Sequence, residues 1–597
     1  MFQRRGITLI AAWALALLPA FAAAAPPKVL RYAFPIAETG FDPAQLSDLY
    51  SRIVTGHIFE SPLTYDPLAK PYKLKASTAV AMPEVADNFR RFTFRIQPGI
   101  YFADDPAFRG QRRELTAQDY VYSIKRIYDP KLKSPGQAFL EDEGIIGLRE
   151  LREDAIQHKR AFDYEREVEG LKALDRYTLQ VRAREPRPRH LYTWASRDIY
   201  GAVAREVVEA YDDRIMDHPV GTGPFRLADW RRSSRIVLER NPNYRDDRYD
   251  AEPNADDAAG QALLARFKGR RLPMIDRVEI SIIEQAQPRW LAFLNGEHDF
   301  LERVPEEFVD QAVPGGRIAP NLAKRGIRAE RVPFADTTLL VFNMEHALVG
   351  GLTPERVALR RAIVLGTDVA REIALARHGQ AIAAQSIMPP LTTGYRADLH
   401  TEMGDYSPAR AKALLDLYGY VDRDGDGWRE QPDGGPLLLE LSTQATQANR
   451  QLDELLKKDL DALGLRLVLK VAQFPENLKS ARSGRFMLWR VGSLASTPDG
   501  QGALERGYGP SVGKGNLARF QLPAFDKIYD QLKLLPDGPE RQALFDAATK
   551  LLVAYAPYRM SVHRIVTDLS TPQLVGYRRP AFWNDWWQYV DIEAPAK

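Results

Sequence analysis

Cysteine is absent from all 597 residues. That excludes disulfides, thiolate zinc sites, a cysteine nucleophile and a lipid-modified cysteine behind the N-terminus. Histidine is scarce, nine in all, and without metal-ligand spacing; His57, His298 and His563 read as surface or internally satisfied residues. The chain has no G-x-S-x-G, no H-E-x-x-H and no complete phosphate loop, so an exported hydrolase has no visible nucleophile and base. Two fragments imitate nucleotide sites. Gly513-Lys514-Gly515 lies one residue short of phosphate-loop spacing from Gly509 and lacks a following Ser or Thr, while Gly513-x-Gly515-x-x-Ala518 lacks a strand running into a helix. An excess of charge is missing too: 82 Lys and Arg stand against 79 Asp and Glu, net +3, which gives nucleic acid no broad electrostatic hold.

Long apolar runs are limited to residues 7–18, too short to cross a bilayer. With Arg4-Arg5 ahead and Ala22-Ala23-Ala24-Ala25 behind, this run reads as a secretory signal peptide over 1–25, cut after Ala24 or Ala25. Loss of Arg4 and Arg5 takes the net charge from +3 to +1, because no acid precedes Glu38. An exported chain with no cysteine to lipidate is expected to be soluble in the periplasm and not a lipoprotein. Its length exceeds what one hydrophobic core holds, so about two to four domains are expected.

What the chain does contain is alternation of strand and helix. Residues 29–34 alternate as a strand, 91–96 as another closed by Pro98-Gly99, and 177–181 and 275–283 as two more. Residues 115–130 spell a helix with Thr116 as N-cap, Asp119 three residues on and Pro130 past its end, its apolar face carried by Val121, Ile124 and Tyr128. Residues 246–269 read as a polar surface excursion. Strand 437–442, helix 448–463, strand 465–471, helix 475–483 and strand 486–491 then follow in order, the pattern of an α/β lobe.

Between these stands Pro219-Val220-Gly221-Thr222-Gly223-Pro224-Phe225, where two glycines and two prolines specify a sharp corner ahead of a hairpin over 225–239. It reads either as a structural corner or as exposed backbone N–H groups facing a ligand cleft. Asp422, Asp424 and Asp426 with Gly427 take alternate positions of a calcium-loop pattern, and Asp433 falls at its twelfth position, where Asp replaces the usual Glu. Structural calcium and an uncoordinated acidic turn both fit; no other cofactor is expected. The run Trp583-Asn584-Asp585-Trp586-Trp587-Gln588-Tyr589 is dense in aromatics, most of which are expected in the core and a minority in a cleft.

Seven stretches together resemble the family 5 extracellular solute-binding proteins, the oligopeptide- and dipeptide-binding components of ATP-binding-cassette importers. They are residues 58–66, 91–99, 115–126, 219–225, 239–244, 360–368 and 419–427, in family order. The resemblance implies a type II (cluster C) periplasmic binding-protein fold: two large α/β lobes joined by a hinge, plus a small extra domain. It implies a first domain from 28–61, 175–273 and 556–597, a second over 62–174 and a third over 274–555. It also implies a monomer that closes on a peptide or peptide-like solute and delivers it to membrane permease subunits, with no chemistry of its own.

Family peptide binders resemble one another in an R-x-G-W-x-A-D stretch whose Asp pairs with the peptide ammonium. Here the segment is Arg490-Val491-Gly492-Ser493-Leu494-Ala495-Ser496, so Arg490, Gly492 and Ala495 match while the Trp and the Asp are serines. Asp499 and Glu38 are the candidates to replace that carboxylate. Ala37, Glu38, Thr39 and Gly40 match the family's N-terminal cleft loop and Asn343 a cleft strand of the third domain. With Arg490, Gly492, Leu494, Ser496 and Asp499 they make up the expected ligand site. The missing Asp also leaves room for a non-peptide solute such as an opine, a sugar or a metal chelate.

Overall fold

A computed structural model of the chain describes residues 26–46 and 48–593; the signal peptide expected over 1–25 lies outside them. The first strand forms where its alternation places it, at Val29–Phe34. It pairs in parallel with Arg277–Ile282, which continues antiparallel to Arg235–Arg240 and then Phe225–Arg231. Leu30, Phe34, Ile236, Val278 and Ile280 share one core with Ile58 and Trp587. In the third lobe Asp336–Phe342 lies beside Leu488–Leu494, followed by Leu438–Thr443 and Arg466–Val471. Every residue of Asp336–Phe342 is buried. Leu339 and Val341 enter one core with Phe525 and Phe545, and Leu340 and Phe342 the opposite core with Leu359 and Leu456, because helices cover both faces of this half-sheet.

One strand belongs to both halves. Residues 558–562 of Tyr558–Ser570 pair with Asp336–Phe342, and residues 565–570 pair with Arg328–Pro333. The chain therefore crosses between lobes twice, side by side, at Phe334-Ala335 and at His563-Arg564. Two adjacent strand crossings let a few residues absorb a bending motion while each lobe stays intact, which is hinge geometry.

Strand pairing moves three boundaries expected from the sequence. The strand Arg277–Ile282 hydrogen-bonds Val29–Phe34, so the first lobe runs on beyond 274 to the crossing near 334. Thr178–Arg182 pairs with Arg91–Arg95 and Leu171–Ala173 in the small four-stranded sheet, so the small domain does not end at 174. Residues 558–562 lie in the third lobe's half-sheet, so the return to the first lobe comes near 565 rather than 556. The stretch 246–269 is also more than a surface excursion: it holds the helix Ala258–Phe267, and its Tyr249 and Phe267 share a core with Leu68, Leu272, Val575 and Tyr589.

In the small domain the helix Ala117–Tyr128 packs Val121, Ile124 and Tyr128 against Phe92, Phe94 and Leu179. The Asp119 carboxylate accepts from Thr116 N at 2.7 Å, capping the helix as expected. The corner is buried from Gly221 to Phe225. Gly223 N donates to Ile58 O at 2.8 Å, Ala103 N to Gly221 O at 2.9 Å and Thr222 Oγ1 to Glu60 Oε2 at 2.9 Å. The corner is buried and its Gly223 N–H is spent on Ile58 O, which favours the structural corner over the ligand-facing alternative. Neither Gly221 nor Gly223 has positive φ; the need for glycine is close approach alone.

Candidate functional site

Beside the crossings a cleft of about 150 Å³ opens between the lobes. Tyr32, Arg52, Ile53, Phe300, Glu302 and Arg303 line it from the first lobe, and Leu494, Ala495 and Ser496 from the third. The C-terminal segment closes one side with Tyr577, Arg579, Phe582, Trp583 and Trp586. A second cavity of about 150 Å³ adjoins it and shares Arg303 and Phe334.

Asp568, near the end of the shared strand and 1% exposed, organises this wall. It accepts from Arg579 Nη1 at 2.6 and 2.5 Å, from the Tyr577 hydroxyl at 2.8 Å and from Arg303 N at 2.8 Å. Burial, reinforced by the Asp568 charge, pushes the Tyr577 hydroxyl well above its usual range, so it stays protonated and donates. The aromatic floor is fixed edge to face: the Trp586 ring centroid lies 5.1 Å from Phe300 and 4.7 Å from Tyr577. The dense aromatic run divides evenly, where most of it was expected in the core. Trp583, Asn584 and Trp586 line the cleft, whereas Trp587 is core, stacked 3.6 Å from His57. Burial lowers the His57 pKa well below the ordinary value. The neutral ring accepts from Trp587 N at Nε2, 3.1 Å away, and its Nδ1 sits 2.7 Å from Ile53 O.

Of the residues expected to bind ligand, Leu494 and Ser496 line the cleft, and Gly492 is exposed on the same strand. Ala37–Gly40 is held to the helix Leu49–Ile58 and its cap: Thr39 N donates to Ser51 Oγ at 2.9 Å and Thr39 Oγ1 to Asp48 Oδ2 at 2.6 Å. Glu38 Oε1 accepts from Trp230 Nε1 at 2.6 Å and Ser233 N at 2.8 Å. Asn343 Nδ2 donates to Gly484 O and Phe486 O, and Arg490 to Asp453 Oδ1 at 2.6 Å. Asp499 is 5% exposed and takes both Arg541 Nη atoms at 2.8 Å and Arg189 Nε at 2.8 Å. Burial alone would raise the Asp499 carboxyl, but the Arg541 and Arg189 guanidiniums outweigh it and hold it below the ordinary carboxylate range. Among the described residues neither Glu38 nor Asp499 lines the cleft; Asp499 is paired through both oxygens, whereas Glu38 is held through Oε1 alone and its Oε2 is shielded without a hydrogen-bond partner.

The acidic loop brings Asp422, Asp424 and Asp426 together with Glu430, one oxygen of each lying within 4.8 Å of the others. Asp433 is outside this group and accepts from Gly435 N at 3.0 Å; Glu430 stands in its place. Backbone N–H groups of Gly425 and Gly427 already occupy Asp422, and that of Trp428 occupies Asp426.

Residues 68–515 match the family described as bacterial extracellular solute-binding proteins, family 5 middle. The chain is 23% identical over 582 residues to the di/tripeptide-binding protein 2 of Pseudomonas aeruginosa, covering 94% of this chain and 95% of the other. It is 24% identical over 572 residues to the probable deoxycholate-binding periplasmic protein YgiS of Escherichia coli, covering 94% and 92%. Among solved structures, the periplasmic binding protein DppA of Helicobacter pylori, in complex with the peptide STSA, superposes with a TM-score of 0.67 at 20% identity over 95% of this chain and 98% of that one.

Proposed function

Since the chain belongs to the family 5 extracellular solute-binding proteins, we propose that it captures a peptide or peptide-like solute in the interlobe cleft and delivers it to the permease of an ATP-driven importer. The carrying observation is the placement of that cleft: it lies beside the two strand crossings, so bending there closes Leu494–Ser496 down on the aromatic wall. A solute that bridges both walls stabilises the closed form by its differential affinity, and the permease reads that form. Periplasmic residence follows from the same reading, through the signal peptide expected over 1–25.

A solute without an ammonium group is the second reading. Glu302 is the only carboxylate among the described residues lining the cleft, and it lies 3.4 Å from Arg579 and 3.6 Å from Arg303. Thermal-shift assays of the full chain against a di- and tripeptide mixture, with deoxycholate in parallel, test both. A rise of several degrees with peptides is expected. A rise with deoxycholate alone would replace the peptide reading by the second, and no shift with either would remove both.

A further inference from the structure

The cleft region contains a cation that the protein answers only loosely. Arg52 is hydrogen-bonded to Asp198, Arg564 to Asp336 and Arg579 to Asp568. The Arg303 guanidinium makes no hydrogen bond to any described residue: its Nε is shielded from solvent without a hydrogen-bond partner, and its charge is met by a long ion pair to Glu302 Oε1, 3.6 Å away. A shielded donor without a partner costs free energy that a ligand acceptor recovers.

Its surroundings are built for such an acceptor. Arg303 lines both the interlobe cleft and the second cavity, with Phe334 in both walls. That ring faces three guanidiniums, Arg303 at 4.9 Å, Arg564 at 5.7 Å and Arg579 at 5.9 Å. The Arg303 backbone is left-handed, φ 52°, with its N–H fixed on Asp568. Long side chains seldom adopt that conformation unless the surroundings demand it. In the second cavity Gln380 supplies another shielded donor, Nε2 without a partner, while its Oε1 takes the Thr567 hydroxyl. Glu306, the carboxylate lining that cavity, is exposed.

We propose that Arg303 receives a carboxylate of the captured solute, with Gln380 as a second donor in the adjoining cavity, so that the ligand is an organic acid whose anionic end enters the junction of the two cavities. This rests on reading the cleft as the solute site. A guanidinium pairs with a carboxylate through parallel charge-assisted hydrogen bonds that the uncharged amide cannot reproduce.

The test is calorimetric titration of the full chain with four forms of Ala-Phe-Ala: free, N-acetylated, C-terminally amidated, and amidated with glutamate as last residue. The free and acetylated acids are expected to bind, and the amide to bind roughly 10–100-fold more weakly. Recovery by the glutamate amide shows that a side-chain carboxylate serves; no recovery shows that the main-chain terminus is required, and either supports the assignment. R303Q should abolish the preference for acid over amide and R303K should restore part of it. Equal binding of acid and amide by the unaltered chain, or an undiminished preference in R303Q, overturns the proposal while leaving the peptide reading intact. Binding of none of the four overturns both.

Discussion

Replacing Asp499 with alanine should destabilise the third lobe by about 3–5 kcal/mol, the cost of removing one partner from a buried ion pair. Its side chain is 3% exposed and that of Arg541 1%, and two parallel hydrogen bonds of 2.8 Å join them. Without Asp499, Arg541 keeps Asp537 at 2.9 Å and a long contact to Gln501 at 3.4 Å. That cannot neutralise a guanidinium buried this deeply. Calorimetry of the unliganded chain reads the loss as a lower melting temperature; an unchanged Tm would refute the account.

The pH dependence has a definite sign. The Asp499 pKa is lowered in the fold, so the pair's contribution is complete above the unfolded carboxylate value, about 4. It is lost only as pH falls through the depressed folded value. At neutral pH the difference between the native chain and D499A should therefore be flat.

Arg189 separates stability from closure. It comes from the small domain, whose core holds the neighbouring Trp194, yet it reaches across to Asp499 at 2.8 Å, Leu535 O at 2.9 Å and Asp537 at 2.9 Å. R189A leaves the Asp499–Arg541 pair intact, so its melting temperature should fall less than that of D499A. Its unliganded radius of gyration should rise because a tie between small domain and third lobe is gone.

What the sequence made legible was local. Val29–Phe34 and the cap at Thr116 are written in periodicity and side-chain chemistry within a few residues. The lobe boundaries were not, because they depend on which strand pairs with which across hundreds of positions: Val29–Phe34 meets Arg277–Ile282, and Tyr558–Ser570 serves both halves. The site was legible in part: Leu494 and Ser496 line the cleft. Glu38, Asn343, Arg490 and Asp499 carry the right chemistry, but the fold spends each on an internal partner. Asp568, which arranges Arg303, Tyr577 and Arg579, offered one local sign, an acid inside a 13-residue strand close to Ile565, Val566 and Leu569. An acid so placed has a partner to hold.

Gly221 carries the other large expected effect. A Cβ built there would lie 2.0 Å from Ile58 O and 2.7 Å from Ile58 C, and at Gly223 2.6 Å from His57 O. These are backbone atoms at the end of the helix Leu49–Ile58, so no side chain can swing aside and the helix end itself must move. That end also receives the Gly223 N–H and leads into Glu60, which is 0% exposed and holds Thr222 and Arg245. Displacing it strains the joint between first lobe and small domain. The cost should reach roughly 3 kcal/mol or more, the upper end for overpacking. Because the collision is with the first carbon, G221A should be nearly as damaging as G221V, which separates close approach from side-chain bulk. G502A is the control, since nothing lies within 4 Å of a Cβ at Gly502; its melting temperature should be unchanged. A G221A chain that melts with the native one would show that the corner yields at little cost, and that the joint between first lobe and small domain is softer than the contacts imply.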